Sequence, residues 1–227
     1  MLKAFVSLIF PKICSACGNG LYDTEECICT LCQYQLPKTG FHLSPNNPII
    51  KLFWGRADIF SASSCYKFSK GSKVQHLIHQ LKYRGQKEIG KTIGKFYGSE
   101  LKESVLFNSV NTIMPVPLHP KKLRKRGYNQ TDSFAEGLAE SMKVESDLKN
   151  LVRTVATETQ TKKSRFARFK NVDSIFAIKN SEKLEGKHIL LVDDVVTTGS
   201  TLEACANKLL EIQGTKVSVV TIACADH

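Results

Sequence analysis

The chain has 227 residues, 42% hydrophobic and 23% charged, with a formal net charge of +11. That length buries one good core and carries a small appendage, and the composition is that of a soluble globular protein rather than an integral membrane one, since no stretch approaches transmembrane length. The cationic surplus suits polyanionic partners such as nucleic acid, an anionic membrane surface or a pyrophosphate, but charge alone carries no sequence recognition.

The N-terminal MLKAFVSLIFPKIC is apolar between Lys3 and Pro11. It is too short to span a bilayer and lacks the small-residue cleavage site of a signal peptide. It reads as an amphipathic lead-in, and the expected location is cytoplasmic. Five of the eight cysteines then fall between residues 14 and 32. Cys14 and Cys17 form one CxxC, and Cys29 and Cys32 a second. Two intervening residues let both sulfurs of a pair face one tetrahedral ion, and Gly18 suits the tight turn that follows. Paired CxxC at this separation predicts structural zinc held by Cys14, Cys17, Cys29 and Cys32, with Cys27 as a competing thiol. Four thiolates leave no open position, so this zinc folds the segment and does no chemistry. Cys65, Cys205 and Cys224 are isolated in apolar surroundings and read as core.

QLPKTGFHLSPNNPIIKLFWG, with its prolines and asparagines, reads as an irregular linker. Helical spacing follows at Val74, Leu77, Ile78 and Leu81, then at Ile89, Ile93 and Phe96, with the basic turn LKYRGQK around Gly85 between them. His76 and His79 lie three apart on the first helix without an evident third ligand. VNTIMPVP reads as a buried strand stopped by proline. The next segment, LHPKKLRKRGYNQ, reads as a basic loop with five Lys/Arg between residues 121 and 126, before a helix through Phe134, Leu138 and Met142. Its cations, Lys121, Arg124 and Arg126 among them, can neutralise a pyrophosphate leaving group. Lys121, Lys122 and Lys125 can equally contact a nucleic-acid backbone, or form a solvated basic turn. His119 stands beside them.

Strand candidates near LVRTVA and SIFAI flank a second basic run, Lys162–Lys170, interrupted by Phe166 and Phe169. Three readings stay open for it. It is a lid over the anion, with Arg168 on the phosphate; or Lys162, Lys163, Arg165 and Phe166 hold and stack a single strand; or its two Phe lie on the core.

LLVDDVVTTGST, residues 190–201, carries the most chemistry. An apolar run of parallel-strand type ends on Asp193 and Asp194, and a small-hydroxyl loop leads into a helix through Leu202, Cys205, Ala206, Leu209 and Leu210, with Gly214 as its stop. Helix N-terminal amides with the hydroxyls of Thr197, Thr198, Ser200 and Thr201 can hold a phosphate, and Gly199 lets the backbone approach. The carboxylates can hold vicinal hydroxyls directly or through Mg²⁺. Carboxylates repel phosphate, so a ligand with both a phosphate and a diol or metal is implied. Neither GxxxxGK nor GxGxxG is present. A response-regulator receiver opens similarly but needs most of a domain after its acidic pair. The last strand is KVSVVTIACA, and strands alternating with helices over the C-terminal two thirds predict a parallel sheet wrapped by helices.

The 190–201 segment closely resembles the phosphoribosylpyrophosphate (PRPP) loop of type I phosphoribosyltransferases. The whole chain resembles the ComF (competence protein F) family of phosphoribosyltransferase-like proteins. The resemblance rests on FPKICSACG with the second LC-x-x-C, HQLKYRGQKEIG, PVPLHPKKLRKRGYNQTDSFAEGLA, LVRTVATETQTKKSRFARFKN and LLVDDVVTTGST, in that order.

The resemblance implies an α/β fold of type I phosphoribosyltransferase kind, an open parallel sheet flanked by helices with a small N-terminal zinc finger. The expected division is residues 1–40 for the finger and 41–227 for the main domain, with 41–105 a helical hood and 106–227 the core sheet. It further implies PRPP or another phosphoribosyl ligand with Mg²⁺, held by Asp193, Asp194, Val195, Thr197, Thr198, Gly199, Ser200 and Thr201. Arg126, Gly127, Asn129, Gln130, Arg168 and Asn171 match signature positions of unassigned role. The implied setting is natural transformation: handling single-stranded DNA at the inner face of the cytoplasmic membrane, beside other DNA-uptake proteins. An active transferase with an unidentified acceptor is the alternative. The closing IACADH lacks the basic residue common near the family's last strand.

Overall fold

A computed structural model describes residues 12–154 and 175–225. Five parallel strands form the central sheet: β1 (Ser61–Phe68), β2 (Thr112–Pro115), β3 (Glu145–Ser146), β6 (His188–Val196) and β7 (Lys216–Ala225), in the order β1-β7-β6-β2-β3. Between β3 and β6 in sequence, β4 (Leu151–Arg153) and β5 (Phe176–Ile178) pair antiparallel in a separate two-stranded sheet. The strands foreseen near LVRTVA and SIFAI therefore exist but do not join the parallel sheet.

The helices are α1 (Thr30–Gln35), α2 (Pro48–Lys51), α3 (Lys73–Tyr83), α4 (Lys87–Glu103), α5 (Pro120–Arg126), α6 (Gln130–Met142) and α7 (Ser200–Leu210). Alternate side chains of β6 leave on opposite faces, as a strand's period of two requires. Leu190 and Val192 enter one apolar cluster with α3, α4, α6 and the cysteine-rich segment. Ile189 and Leu191 enter the other, with α2, α7 and the β4–β5 pair. The result is a sheet covered on both sides, which is why β6 and β7 read as near-continuous apolar runs.

Four expectations are corrected, and one strand, β1, was not foreseen. SASSCYKF, with no apolar alternation, is the edge strand β1; its polar Ser63 and Ser64 are fully buried and bonded to Tyr97 Oη (2.6 Å) and Thr221 Oγ1 (3.0 Å). The supposed irregular linker holds a 3₁₀ turn (Phe41–Leu43) and α2, whose N-cap Asn47 accepts from the Ile49 and Ile50 amides. The basic loop at 121–126 is helix α5, with Pro120 in its first turn, His119 as N-cap and Gly127 at its C-terminus. Finally, α7 stops at Leu210 rather than at Gly214, and Phe96 is 37% exposed while Tyr97 and Leu101 carry the buried face of α4.

Among the described residues no helix is long and apolar enough to cross a membrane. Lys162, Lys163, Arg165, Phe166, Arg168 and Asn171, and the N-terminal lead-in through Pro11, lie outside the described residues.

Candidate functional site

The carboxyl ends of β1, β6 and β7 meet at one edge of the sheet, where open α/β folds hold their ligands. The β6–α7 connection forms a concavity of about 60 Å³ lined by Asp193 and by the residues from Val195 to Leu202. Liquid water occupies about 30 Å³ per molecule, so this is the scale of a single oxyanion. The N-cap of α7 is Gly199, which has no side chain to offer the first-turn amides that an anion would use. Gly199 has φ +75°, and a Cβ there would lie 3.2 Å from Phe53 Cε1. Only glycine makes the left-handed turn against that ring without strain. Arg56 braces the loop from outside, donating to Thr198 O at 2.9 Å and Ser200 Oγ at 3.3 Å, and it also pairs with Glu203.

The two acidic residues separate. Asp193 is half-buried and lines the loop concavity. Burial first, and then the Asp194 charge, hold its carboxyl well above the usual carboxylate range. Asp194 is buried on the other side of the strand end. It lines a second cavity of about 450 Å³ whose walls include Phe68, Gln75, His79, Tyr83 and Thr197. The structure thus brings the pair to adjacent concavities rather than to a single one. Asp194 Oδ1 accepts from Lys82 Nζ at 2.8 Å, Oδ2 accepts from Gln130 Nε2, and Gln130 Oε1 accepts from Arg126. The chain Arg126–Gln130–Asp194–Lys82 ties α5, α6, β6 and α3 together at the sheet edge. It gives Arg126 and Gln130 a shared structural place. Asn129 caps α6 and donates to Val116 O (3.1 Å) and Asp132 Oδ1 (2.7 Å).

Of the basic residues, Lys122, Lys125 and Arg126 share a cleft of about 400 Å³ with Lys82, Tyr83 and Tyr128. Lys121 and Arg124 are exposed on the same short helix and do not line it. His119 Nδ1 accepts from the Lys121 amide as a cap. Lys82, Tyr83 and Arg56 were missed as site residues in the sequence. LKYRGQK offered the first two only as a basic turn, and Arg56 carried no signal.

At the N-terminus the sulfurs of Cys14, Cys17, Cys29 and Cys32 lie within 4.8 Å of one another. A tetrahedral ion with bonds of about 2.3 Å spaces its sulfurs by about 3.8 Å, and Cys17 Sγ to Cys29 Sγ is 3.8 Å. Amides of Cys29 (3.2 Å) and Ala16 (3.4 Å) point at Cys14 Sγ. Burial pushes the Cys14 thiol up, but those amides outweigh it and bring it down to about 7. Cys32 is pushed up to about 12, by burial first and then by the neighbouring sulfurs. Four thiols crowded this way repel as thiolates until a dication neutralises them, so the cluster can bind a metal such as zinc. Cys27 stands apart, its thiol donating to Thr92 Oγ1 at 3.3 Å.

Comparison with known proteins agrees with this geometry. The phosphoribosyl transferase domain family matches residues 131–227, from α6 through the loop to β7. The chain thus carries a phosphoribosyltransferase-like domain on a parallel sheet. It is 29% identical over 211 residues to the DNA utilization protein YhgH of Escherichia coli (strain K12), covering 91% of this chain and 88% of that protein. Competence protein F of Haemophilus influenzae is 30% identical over 154 residues, 65% of this chain and 66% of that protein. Competence protein ComFC of Bacillus subtilis (strain 168) is 27% identical over 200 residues, 88% and 78% respectively. Over most of its length the chain is thus similar to these DNA utilization and competence proteins.

Proposed function

We propose that this protein binds PRPP, or a closely related phosphoribosyl ligand, at the β6–α7 loop and serves DNA uptake or utilization by handling single-stranded DNA. The observation that carries the reading is the loop itself: a helix N-terminus with glycine at its N-cap and a single-anion concavity lined by Asp193, with Asp194 in the adjoining cavity. In this reading the 5-phosphate sits among Thr197, Thr198, Gly199, Ser200 and Thr201, with Val195 in the wall. Asp193 and Asp194 take the ribose hydroxyls and the Mg²⁺ that accompanies pyrophosphate. A cation at Asp194 would take the position of the Lys82 ammonium, which neutralises that carboxylate in the ligand-free protein. When bound, Mg²⁺ supplies charge neutralisation of the pyrophosphate. Lys121, Arg124 and Arg126, with Arg168, are the protein's own candidate anion contacts.

Two further assignments belong to the same reading. Cys14, Cys17, Cys29 and Cys32 hold structural zinc. The basic surfaces carry single-stranded DNA, in keeping with the names of the YhgH and competence relatives, at the inner face of the cytoplasmic membrane beside other DNA-uptake proteins. A transferase is the second reading. The cavity beside Asp194, walled by Phe68 of β1 and by His79 and Tyr83 of α3, favours it, because an acceptor needs such a space next to the loop.

Calorimetric titration with Mg²⁺ and PRPP is the test. The Asp193→Asn/Asp194→Asn variant should fold and lose PRPP binding while retaining inorganic phosphate. Equal PRPP affinity in variant and wild type rules the assignment out. Release of pyrophosphate on adding candidate acceptors separates the transferase from the binding protein.

A further inference from the structure

Tyr83 ends α3 with 68% of its surface exposed, an unusual position for an aromatic ring beside a polar cleft. Its surroundings are ordered. The Arg126 guanidinium carbon lies 5.4 Å from the ring centre, and the His79 ring is 5.0 Å away at 46°. Tyr128 stands across the cleft, its hydroxyl donating to Leu81 O and its ring under Lys87 Nζ at 5.0 Å. Lys122, Lys125 and Arg126 come from one face of α5, at i, i+3 and i+4. No carboxylate lines the cleft among the described residues. The nearest acid of the site, Asp194, is taken by Lys82 and Gln130.

An exposed ring with a cation over it, facing a cleft rich in cations, is matched by a ligand that is a planar aromatic on one side and anionic on the other. We infer that Tyr83 is a stacking platform for an unpaired nucleobase, whose phosphate is held by Lys122, Lys125 and Arg126. The inference rests on the DNA-handling reading for the source of that base, since a free nucleotide offers the same chemistry as one unit of a strand. It adds a base contact from α3, a helix that the basic composition did not single out.

Fluorescence-anisotropy titration of a short oligothymidylate with the full chain tests it across a range of salt concentrations. Tyr83→Ala should weaken binding roughly 5- to 150-fold at every salt concentration, the effect of losing one stacked base, with the salt slope unchanged. Tyr83→Trp should retain the affinity. Lys122→Ala/Lys125→Ala should instead make the log–log salt slope shallower by about 0.7, the loss of one phosphate contact on a single strand. An abasic backbone of the same length should bind wild type and Tyr83→Ala equally. Thymidine monophosphate that binds with the same dependence on Tyr83 assigns the cleft to a free nucleotide, and binding by the oligomer alone assigns it to a strand. Wild type that binds the oligomer and a Tyr83→Ala variant that binds it as tightly overturn this inference alone. Wild type that binds neither oligomer nor monophosphate overturns it together with the DNA-handling reading.

Discussion

Two desolvated titratable residues pull the pH dependence of stability in opposite directions. His188, on β6, is bonded through both ring nitrogens, to Ser109 Oγ and Ser218 Oγ, each at 2.8 Å. Burial first, and then Lys216, push it down to about 4. Between its ordinary 6.5 and that value the unfolded chain binds a proton that the folded chain refuses, so its contribution to stability is lost as pH falls. Asp193 has the reverse sign. Its folded carboxyl keeps a proton that the unfolded chain releases, so stability falls as pH rises from the ordinary 3.8 toward about 7. Asp132, pushed up to about 6 by burial, acts in the same sense as Asp193. Asp193→Asn should therefore make the slope of stability against pH more positive between about pH 4.5 and 6.5, by up to about 1.4 kcal/mol per unit. It should also stabilise the ligand-free protein at neutral pH, as removing a strained functional group commonly does. His188→Gln, which retains hydrogen-bonding capacity, should shift the slope the other way. Urea unfolding at a series of pH values decides it: a slope for Asp193→Asn parallel to wild type removes the assignment of a raised Asp193.

The helix pair α4–α6 sets the height of the site above the sheet. A Cβ on Gly137 of α6 would lie 2.1 Å from Lys91 O, and one on Gly94 of α4 would lie 2.5 Å from Phe134 O. The two backbones are in contact, and α6 starts at Gln130, which holds Asp194. Alanine gains about 1 kcal/mol over glycine in helix propensity, but overpacking against backbone costs typically 1–3 kcal/mol. The clash wins here because a carbonyl cannot turn aside as a flexible side chain can. Gly137→Ala should lower stability by about 1–2 kcal/mol and weaken ligand binding through Gln130; a variant more stable than wild type in chemical denaturation contradicts this packing. What was legible in the sequence follows the same division between local and long-range. The β6–loop–α7 unit is contiguous, with an apolar run, a turn and a helical period, so fold and cradle could be read together. The helix at α5 was also written locally, in Pro120 and Gly127, and was overlooked because five cations drew the reading toward a loop. Strand β1 was not legible, since its buried serines are satisfied by partners such as Thr221, remote in sequence. Lys82 and Gln130 reach Asp194 only through the assembled layers, and no spacing in the chain encodes that meeting.

At the scale of the molecule, the cysteine-rich segment is part of the main core rather than a bead beside it. Cys14, Ile28 and Cys32 are nearly inaccessible and share a cluster with Leu77, Leu81, Ile89 and Ile93 of α3 and α4. Polar contacts cross the same boundary: Gln80 Nε2 donates to Ser15 O at 2.6 Å, Ser15 Oγ to Gln86 Oε1 at 3.2 Å, and Lys95 pairs with Glu26 at 3.4 Å. Helix α3 touches both this segment and β1, and its last turn supplies both Lys82 and Tyr83. Metal binding by four cysteines is worth on the order of 10 kcal/mol of folding energy in small finger peptides, comparable with the whole stability of a domain. Chelation, or Cys14→Ser/Cys32→Ser, should consequently do more than loosen the N-terminus. Amide hydrogen exchange should speed up through α3 and the first turns of α4, while β6 and β7, buried on both faces, stay protected. PRPP and oligonucleotide binding should weaken in parallel, because the residues that face Asp194 and the basic cleft ride on α3. The contrasting result is a metal-free chain whose exchange rises only before residue 40, with ligand binding intact; it would make the segment an independent module and break the link from the cysteines to the site.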